Sequence, residues 1–202
     1  MSDKILLDLH CFWFGDIKNG LSASIKQELW YGADPKTDND ITEKYAALHQ
    51  KAADGDLIHW QKSAKGVLGL VIVLDQLSRN IYRGQSDAFG YDGLALDYCL
   101  NGLELGMDKK LEIVERLFFY HPLMHSESLS CQQLCVELME LMLQDCNKEN
   151  QAIVENSINF AQQHRDIIEQ YGRFPYRNEV LGRSPSTAEI KYLSGSGKRF
   201  GQ

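Results

Sequence analysis

The stretch from Gly66 to Gly84, GVLGLVIVLDQLSRNIYRG, constrains the fold of this chain more than any other. It is apolar without interruption from Val67 to Leu74 and then turns polar at Asp75, Gln76, Arg79, Asn80 and Arg83. A run this short cannot span a bilayer, so it belongs in a protein core. Length alone does not separate a buried strand from a buried helix. The continuation does, because Val67, Leu70, Leu74, Leu77 and Ile81 keep helical spacing straight through the polar residues. The expectation is one buried helix with a polar C-terminal half. Asp75 and Arg79 stand one turn apart on the face that also carries Leu68, Val71 and Ile72. Charge driven inward there costs several kcal/mol unless it is paired. Partners must meet these two side chains, and a site is expected where they do.

With 202 residues, the chain is read as a single domain, 1–202, with a sizeable core. Its Gly/Ser/Lys-rich end, 195–202, is expected to fray. The net charge of −7 and a pI near 5.4 argue against general affinity for nucleic acid or anionic membranes. Met1 to Lys4 carries both charge signs and no signal-peptide pattern follows. The five cysteines, Cys11, Cys99, Cys131, Cys135 and Cys146, are odd in number and lack CxxC spacing. They read as reduced thiols of a cytoplasmic protein. Cys131 and Cys135 are one turn apart, but no second soft pair accompanies them to complete a metal site.

The chain then reads as helix after helix. Asp3 caps a first helix, 4–14, ended by Gly15, and a second runs from Ser22 to Trp30, before a Gly-Ala-Asp-Pro turn. A third covers 38–53 and precedes the central one. Others follow at 87–105, from Asp108 to His121 (broken by Pro122), from Ser126 or Ser128 to Gln144, and from 149 to Tyr171 with a Gly172 stop. Arg173–Pro185 has no period and is read as an ordered loop. Ser186-Thr187-Ala188-Glu189 is a capping-box pattern for a last short helix. No strand-like alternation is found, so the fold class is all-α. Short turns between helices suggest stacked antiparallel hairpins, although no fixed repeat period is present.

Several polar residues lie on stripes that should face the core. His121 follows Leu111, Val114 and Phe118. Gln132 shares a row with Leu129, Val136, Met139 and Leu143, and His164 sits among Phe160, Ala161, Ile168 and Tyr171. A lone inward histidine is usually a satisfied core residue. Several helices that each turn a polar residue inward point to a shared pocket. A second cluster, Arg173, Arg177, Asn178 and Arg183, occupies the loop 173–183. With Arg79, Arg83 and Arg165 these arginines could form a positive focus for carboxylate or phosphate. Alternatively they cap helix ends and pair with the surplus of Asp and Glu.

The chain has no phosphate loop, GxGxxG, HExxH, GxSxG or Cys–Cys zinc framework, so no cofactor and no metal are expected. A His121, His125 and Glu127 metal set is set aside because Pro122 should break the helix between the histidines and forfeit a common face. Glu127 is read instead as a first-turn carboxylate at a helix N-terminus.

Four motifs carry a resemblance: FWFG (12–15), LDQLSRNIYRG (74–84), PLMHSE (122–127) and HRDIIEQYGRFPYRNEVLGR (164–183). Together they resemble the bacterial domain-of-unknown-function 924 family over nearly the whole chain. The resemblance implies an all-helical, tetratricopeptide-like, right-handed array of helix hairpins, with no assigned activity, substrate or cofactor. Two positions depart from the family pattern. Ser78 stands where the family usually has proline, and Tyr176 where it usually has histidine, which argues against a general base at 176.

Two functions fit. One is a pocket for a small anionic molecule, either binding it alone or acting on it as an enzyme. His164, His125 and Asp75 are its candidate catalytic residues, and Arg79, Asn80, Arg83, His121, Gln132, Arg165, Arg173, Arg177 and Asn178 its candidate ligand-binding residues. The other is an adaptor that reads a peptide carboxylate in a groove lined by Trp13, Phe14, Trp30 and Tyr31. Convergence of the polar residues on a closed cavity would favour the first.

Overall fold

The structure, a computed structural model, describes residues 2–24, 26–195 and 197, with the side chains of residues 2 and 3 left out. The expected Asp3 cap and most of the expected frayed tail therefore lie outside the described residues. The fold is all-α, as expected, with one small hairpin. In chain order the elements are α1 (Ser2–Phe14), β1 (Ile17–Lys18), β2 (Leu21–Ser22), α2 (Gln27–Tyr31) and α3 (Pro35–Ala53). The middle holds α4 (Ala64–Val71), a π-helical segment (Ile72–Leu77), α5 (Ser78–Ile81), α6 (Asp92–Glu104), α7 (Ile113–Phe119) and α8 (His121–His125). The chain closes with α9 (Leu129–Gln144), α10 (Lys148–Tyr171) and α11 (Thr187–Ser194).

The central stretch is helical and buried, as its pattern requires. Ser63 caps α4 by accepting a hydrogen bond from Gly66 N at 3.1 Å. Every residue from Gly66 to Asn80 is buried. A fully buried Leu, Ile or Val contributes about 1.5–3 kcal/mol, so this stretch dominates the core's energetics. It packs against α1, α3, α6 and α7. The approach of α6 depends on Gly102, where a Cβ would come within 2.7 Å of Phe119 and 3.2 Å of Val67. The unforeseen feature is the π turn at 72–77, which falls where the stretch changes from apolar to polar. Ser78 sits at its end. Its hydroxyl donates back to Leu74 O at 2.6 Å and meets His49 Nε2 at 2.7 Å.

Several expected boundaries are corrected. Ser22 does not begin a helix. Asn19 and Gly20 take positive φ (52° and 84°) and turn β1 back onto β2. An Asn-Gly pair suits this tight hairpin, and Gly20 O accepts from Val114 N at 2.9 Å to pin it. Helix α3 starts at Pro35, not 38, because Asp34 caps it by accepting from Thr37 N at 3.0 Å. The expected 87–105 helix is a 3-10 turn, Ser86–Phe89, followed by α6. The expected Asp108–His121 helix is a 3-10 turn and then α7, which starts from a Glu112–Glu115 capping box.

Elsewhere the caps match the sequence. Gly172, at φ 70°, stops α10, and the Ser186–Glu189 box opens α11. Helices α9 and α10 form the most extensive helix–helix contact. All five cysteines carry free thiols, two of them buried. Among the described residues no helix is long and apolar enough to cross a membrane.

Candidate functional site

Proline decides the geometry of the site, in a way opposite to expectation. Pro122 does not break a helix between His121 and His125. It lies in the first turn of α8, where its missing N–H costs nothing and its fixed φ favours helix. His121 and His125 therefore share one face after all. Their rings stack at 5.4 Å with 17° between planes. From α10, His164 brings a third ring to 6.2 Å from His125, oriented by Nδ1–H donating to Phe160 O at 2.8 Å. The three imidazoles line a cavity of about 460 Å³. Leu117, Met124, Met139 and Phe160 supply its apolar walls, and Gln27, Tyr31, Asn156 and Ser157 complete it.

Behind His125 lies Asp75, fully buried on the π turn. Its carboxylate accepts from His125 Nδ1 at 2.7 and 3.0 Å, from Gln76 Nε2 at 2.5 Å, and pairs with Arg79 Nη1 at 3.2 Å. Arg79 also donates to Asp75 O at 2.5 Å and to Asp92 at 3.1 Å. Arg177 then donates to Asp92 Oδ2 at 3.2 Å and to His125 O at 3.1 Å. The network closes on itself, from His125 through Asp75, Arg79, Asp92 and Arg177 back to His125. The Arg177 guanidinium lies 4.5 Å from the ring centres of both Phe89 and Phe174.

The electrostatics follow from these contacts. Burial alone would raise the Asp75 pKa, but Arg79 and then His125 hold the carboxyl well below its usual range. Burial lowers His125, with Arg79 adding to the effect and Asp75 opposing it. Burial, and then the neighbouring His125, push His121 and His164 down to about 3. At neutral pH the three imidazoles are uncharged. An ionised carboxylate only accepts, so His125 carries its proton on Nδ1 and keeps a lone pair on Nε2. A buried carboxylate that orients a neutral imidazole is the arrangement of a general base.

His125 also lines a second cavity, of about 310 Å³, on whose wall stand Asp92, Glu127 and Arg177, with Phe89, Ser86 and Ser126 among the others. The remaining candidates are placed elsewhere. Arg83 grips Asp38 through two bonds (2.6 and 3.0 Å), and Asn80 donates to the same carboxylate at 2.8 Å, tying α5 to α3. Gln132 donates to Met124 O and Ser126 O at the end of α8. Arg173 and Asn178 both bind Glu189 of α11, and Arg165 pairs with Asp166 at the surface. The five arginines of the expected set thus each meet a carboxylate, and Arg177 is the one that lines either of these two cavities.

Glu127 does not sit at the N-terminus of α9 as a lone charge. It takes Arg183 at 2.7 and 3.1 Å and Phe174 N at 2.8 Å. Trp13, Phe14 and Trp30 do not line a groove. They pack around Phe118 at 5.6, 5.5 and 4.9 Å, which leaves Tyr31 as the exposed member of that set. Tyr176 packs against Phe174 with ring centres 5.5 Å apart and the planes tilted by 35°, beside Arg177. Among the described residues no group of three or more His, Cys, Asp and Glu could hold a metal ion.

Sequence reasoning missed Asp92, the carboxylate shared by both buried arginines. Charge counting was the available signal: Arg79 and Arg177 cannot both be neutralised by Asp75. Asn156 and Ser157 carried no signal, since polar residues in the middle of a long helix are ordinary.

The fold and the site together define a class: an all-α protein with a buried carboxylate–imidazole pair beside a histidine-lined cavity. The chain belongs to the DUF924 family of bacterial proteins of unknown function, whose model matches residues 9–197. It is similar to a protein of unknown function from Agrobacterium tumefaciens, ATU0120, whose solved structure superposes with a TM-score of 0.80. That match has 30% identity and covers 96% of this chain and 98% of the other. No curated protein matches.

Proposed function

We propose that this protein binds a small organic molecule in the 460 Å³ cavity and acts on it through His125 as a general base. The observation that carries the reading is the 2.7 Å contact from the Asp75 carboxylate to His125 Nδ1 on the cavity wall. Asp75 orients the ring and would stabilise the imidazolium formed when Nε2 takes a proton. Arg79 and Asp92 hold Asp75 in place, and His121 and His164 shape the cavity. The volume falls within the range of small-ligand sites. Five free thiols support placing the protein in the reducing cytoplasm.

The tetratricopeptide-like, right-handed array implied by the family resemblance is part of this proposal, and the α9–α10 hairpin supports it. An adaptor that reads a peptide carboxylate has less in its favour, because its proposed aromatic groove residues are largely spent in the core.

Diethyl pyrocarbonate, a small electrophile that acylates unprotonated imidazole nitrogen, tests the reading. Peptide mapping should find His125 modified alongside the exposed His59, and Asp75→Asn should slow reaction at His125 alone. A His125 that stays unmodified while His59 reacts to completion would remove the accessible base on which the proposal stands.

A further inference from the structure

The chemistry of the first cavity identifies the ligand more narrowly than its shape does. Among the described residues, those lining it include no lysine, arginine, aspartate or glutamate. An anion that enters therefore finds no counter-charge on the wall. Asp75, behind His125, is negative and already matched by Arg79. Moving an unpaired carboxylate or phosphate out of water into such a space is strongly unfavourable. The arginines that might have received it are held away by carboxylates of their own.

A neutral hydrogen-bond donor finds the opposite situation. Asp75 fixes the His125 proton on Nδ1, so the ring offers Nε2 only as an acceptor. Beside the neutral polar groups of Gln27, Asn156, Ser157 and the other two imidazoles, the wall is apolar and polarisable. Met124 and Met139 are thioethers that adapt to flat rings. Tyr31 and Phe160 also line the cavity and are 63% and 44% exposed, large apolar surfaces left open to solvent. Aromatic faces of this kind stack on aromatic ligands.

We infer that the first cavity takes an uncharged aromatic molecule bearing an O–H or N–H group, which donates to His125 Nε2 while its ring lies among the methionines and Phe160. This deepens the general-base reading and rests on it: the group that donates is the one whose proton His125 would accept.

The test uses the full chain and four probes of similar size: phenol and benzamide as neutral donors, benzoate and phenyl phosphate as their anionic counterparts. Binding is read by titration with imidazole NMR signals as reporters. Phenol and benzamide should bind at least about tenfold more tightly than either anion and shift the His125 signals. Phe160→Ala, at a rim position where folding is not at stake, should weaken the neutral probes and leave the anions unaffected. Benzoate or phenyl phosphate binding as tightly as phenol overturns the inference, and so does the absence of binding by both neutral probes at ~10 mM. The tautomer of His125 in the unliganded protein separates the two claims. If Nδ1 carries the proton and the anions still win, the ligand class falls and the base stands. If Nε2 carries it, the base reading falls with it.

Discussion

The two cavities share one wall, His125, and differ in how they handle charge. The first is lined by three imidazoles that burial keeps neutral, by two methionines and by aromatic rings. The second is lined by Asp92, Glu127 and Arg177, each already committed to an opposite charge from another element. The shared His125 keeps unspent hydrogen-bonding capacity at Nε2, and the second cavity adds ion pairs that fasten the loop after α10 to α6 and to Glu127 ahead of α9. Charged side chains near a cavity do not make it an anion site when they neutralise one another. Reactivity is to be sought on the uncharged side of the wall.

The largest effect expected from breaking that wall comes from Asp75→Ala. It strands His125, Gln76 and part of Arg79, and one-sided loss from a buried pair costs on the order of 3–5 kcal/mol. Urea denaturation measures it. Asp75→Ala/Arg79→Met should recover part of the loss, since Asp92 keeps Arg177 as a partner. A double variant as unstable as the sum of the singles would mean that the two residues do not support each other.

A smaller effect separates the two cavities by pH. His121 and His164 have folded pKa values of about 3, below the ordinary 6.5. Between these values the unfolded chain binds protons that the folded chain refuses, so stability falls as pH falls. Each histidine contributes up to about 1.4 kcal/mol per pH unit. Burial would raise the Glu127 carboxyl, but Arg183 and the Phe174 N–H hold it below its usual range, so it stays ionised in the window from 6.5 to 4.5. His164→Gln should therefore flatten the acid limb there, and Glu127→Gln should leave it in place. A limb unchanged by His164→Gln would show that the first cavity is not built from neutral imidazoles.

Much of this arrangement could be read from single residues. Leu70 and Leu74 on one stripe made the central helix, and the same spacing carried Asp75 and Arg79 inward as a pair. His121, Gln132 and His164 turned up buried because each continued an apolar row. What could not be read was set by tertiary context. Pro122 breaks or opens a helix depending on whether the preceding turn has already ended, and α7 ends at Phe119. The π turn at 72–77 has no periodic signature over six residues. An arginine in an acidic chain looks the same whether it faces a ligand or a carboxylate, and only the fold brings Arg173 to Glu189 and Arg177 to Asp92. Asn19-Gly20 was a legible hairpin signal overshadowed by the helices on either side.

The proton on His125 tests the central claim most directly. Nitrogen-15 NMR of the imidazole ring in the unliganded protein reads which nitrogen carries it and at what pH the ring becomes charged. The account predicts a neutral ring at pH 7, protonated on Nδ1, with a lone pair on Nε2, and charging only below the ordinary histidine range. Asp75→Asn should disturb that assignment. A ring that is an imidazolium at pH 7, or that carries its proton on Nε2, would contradict it.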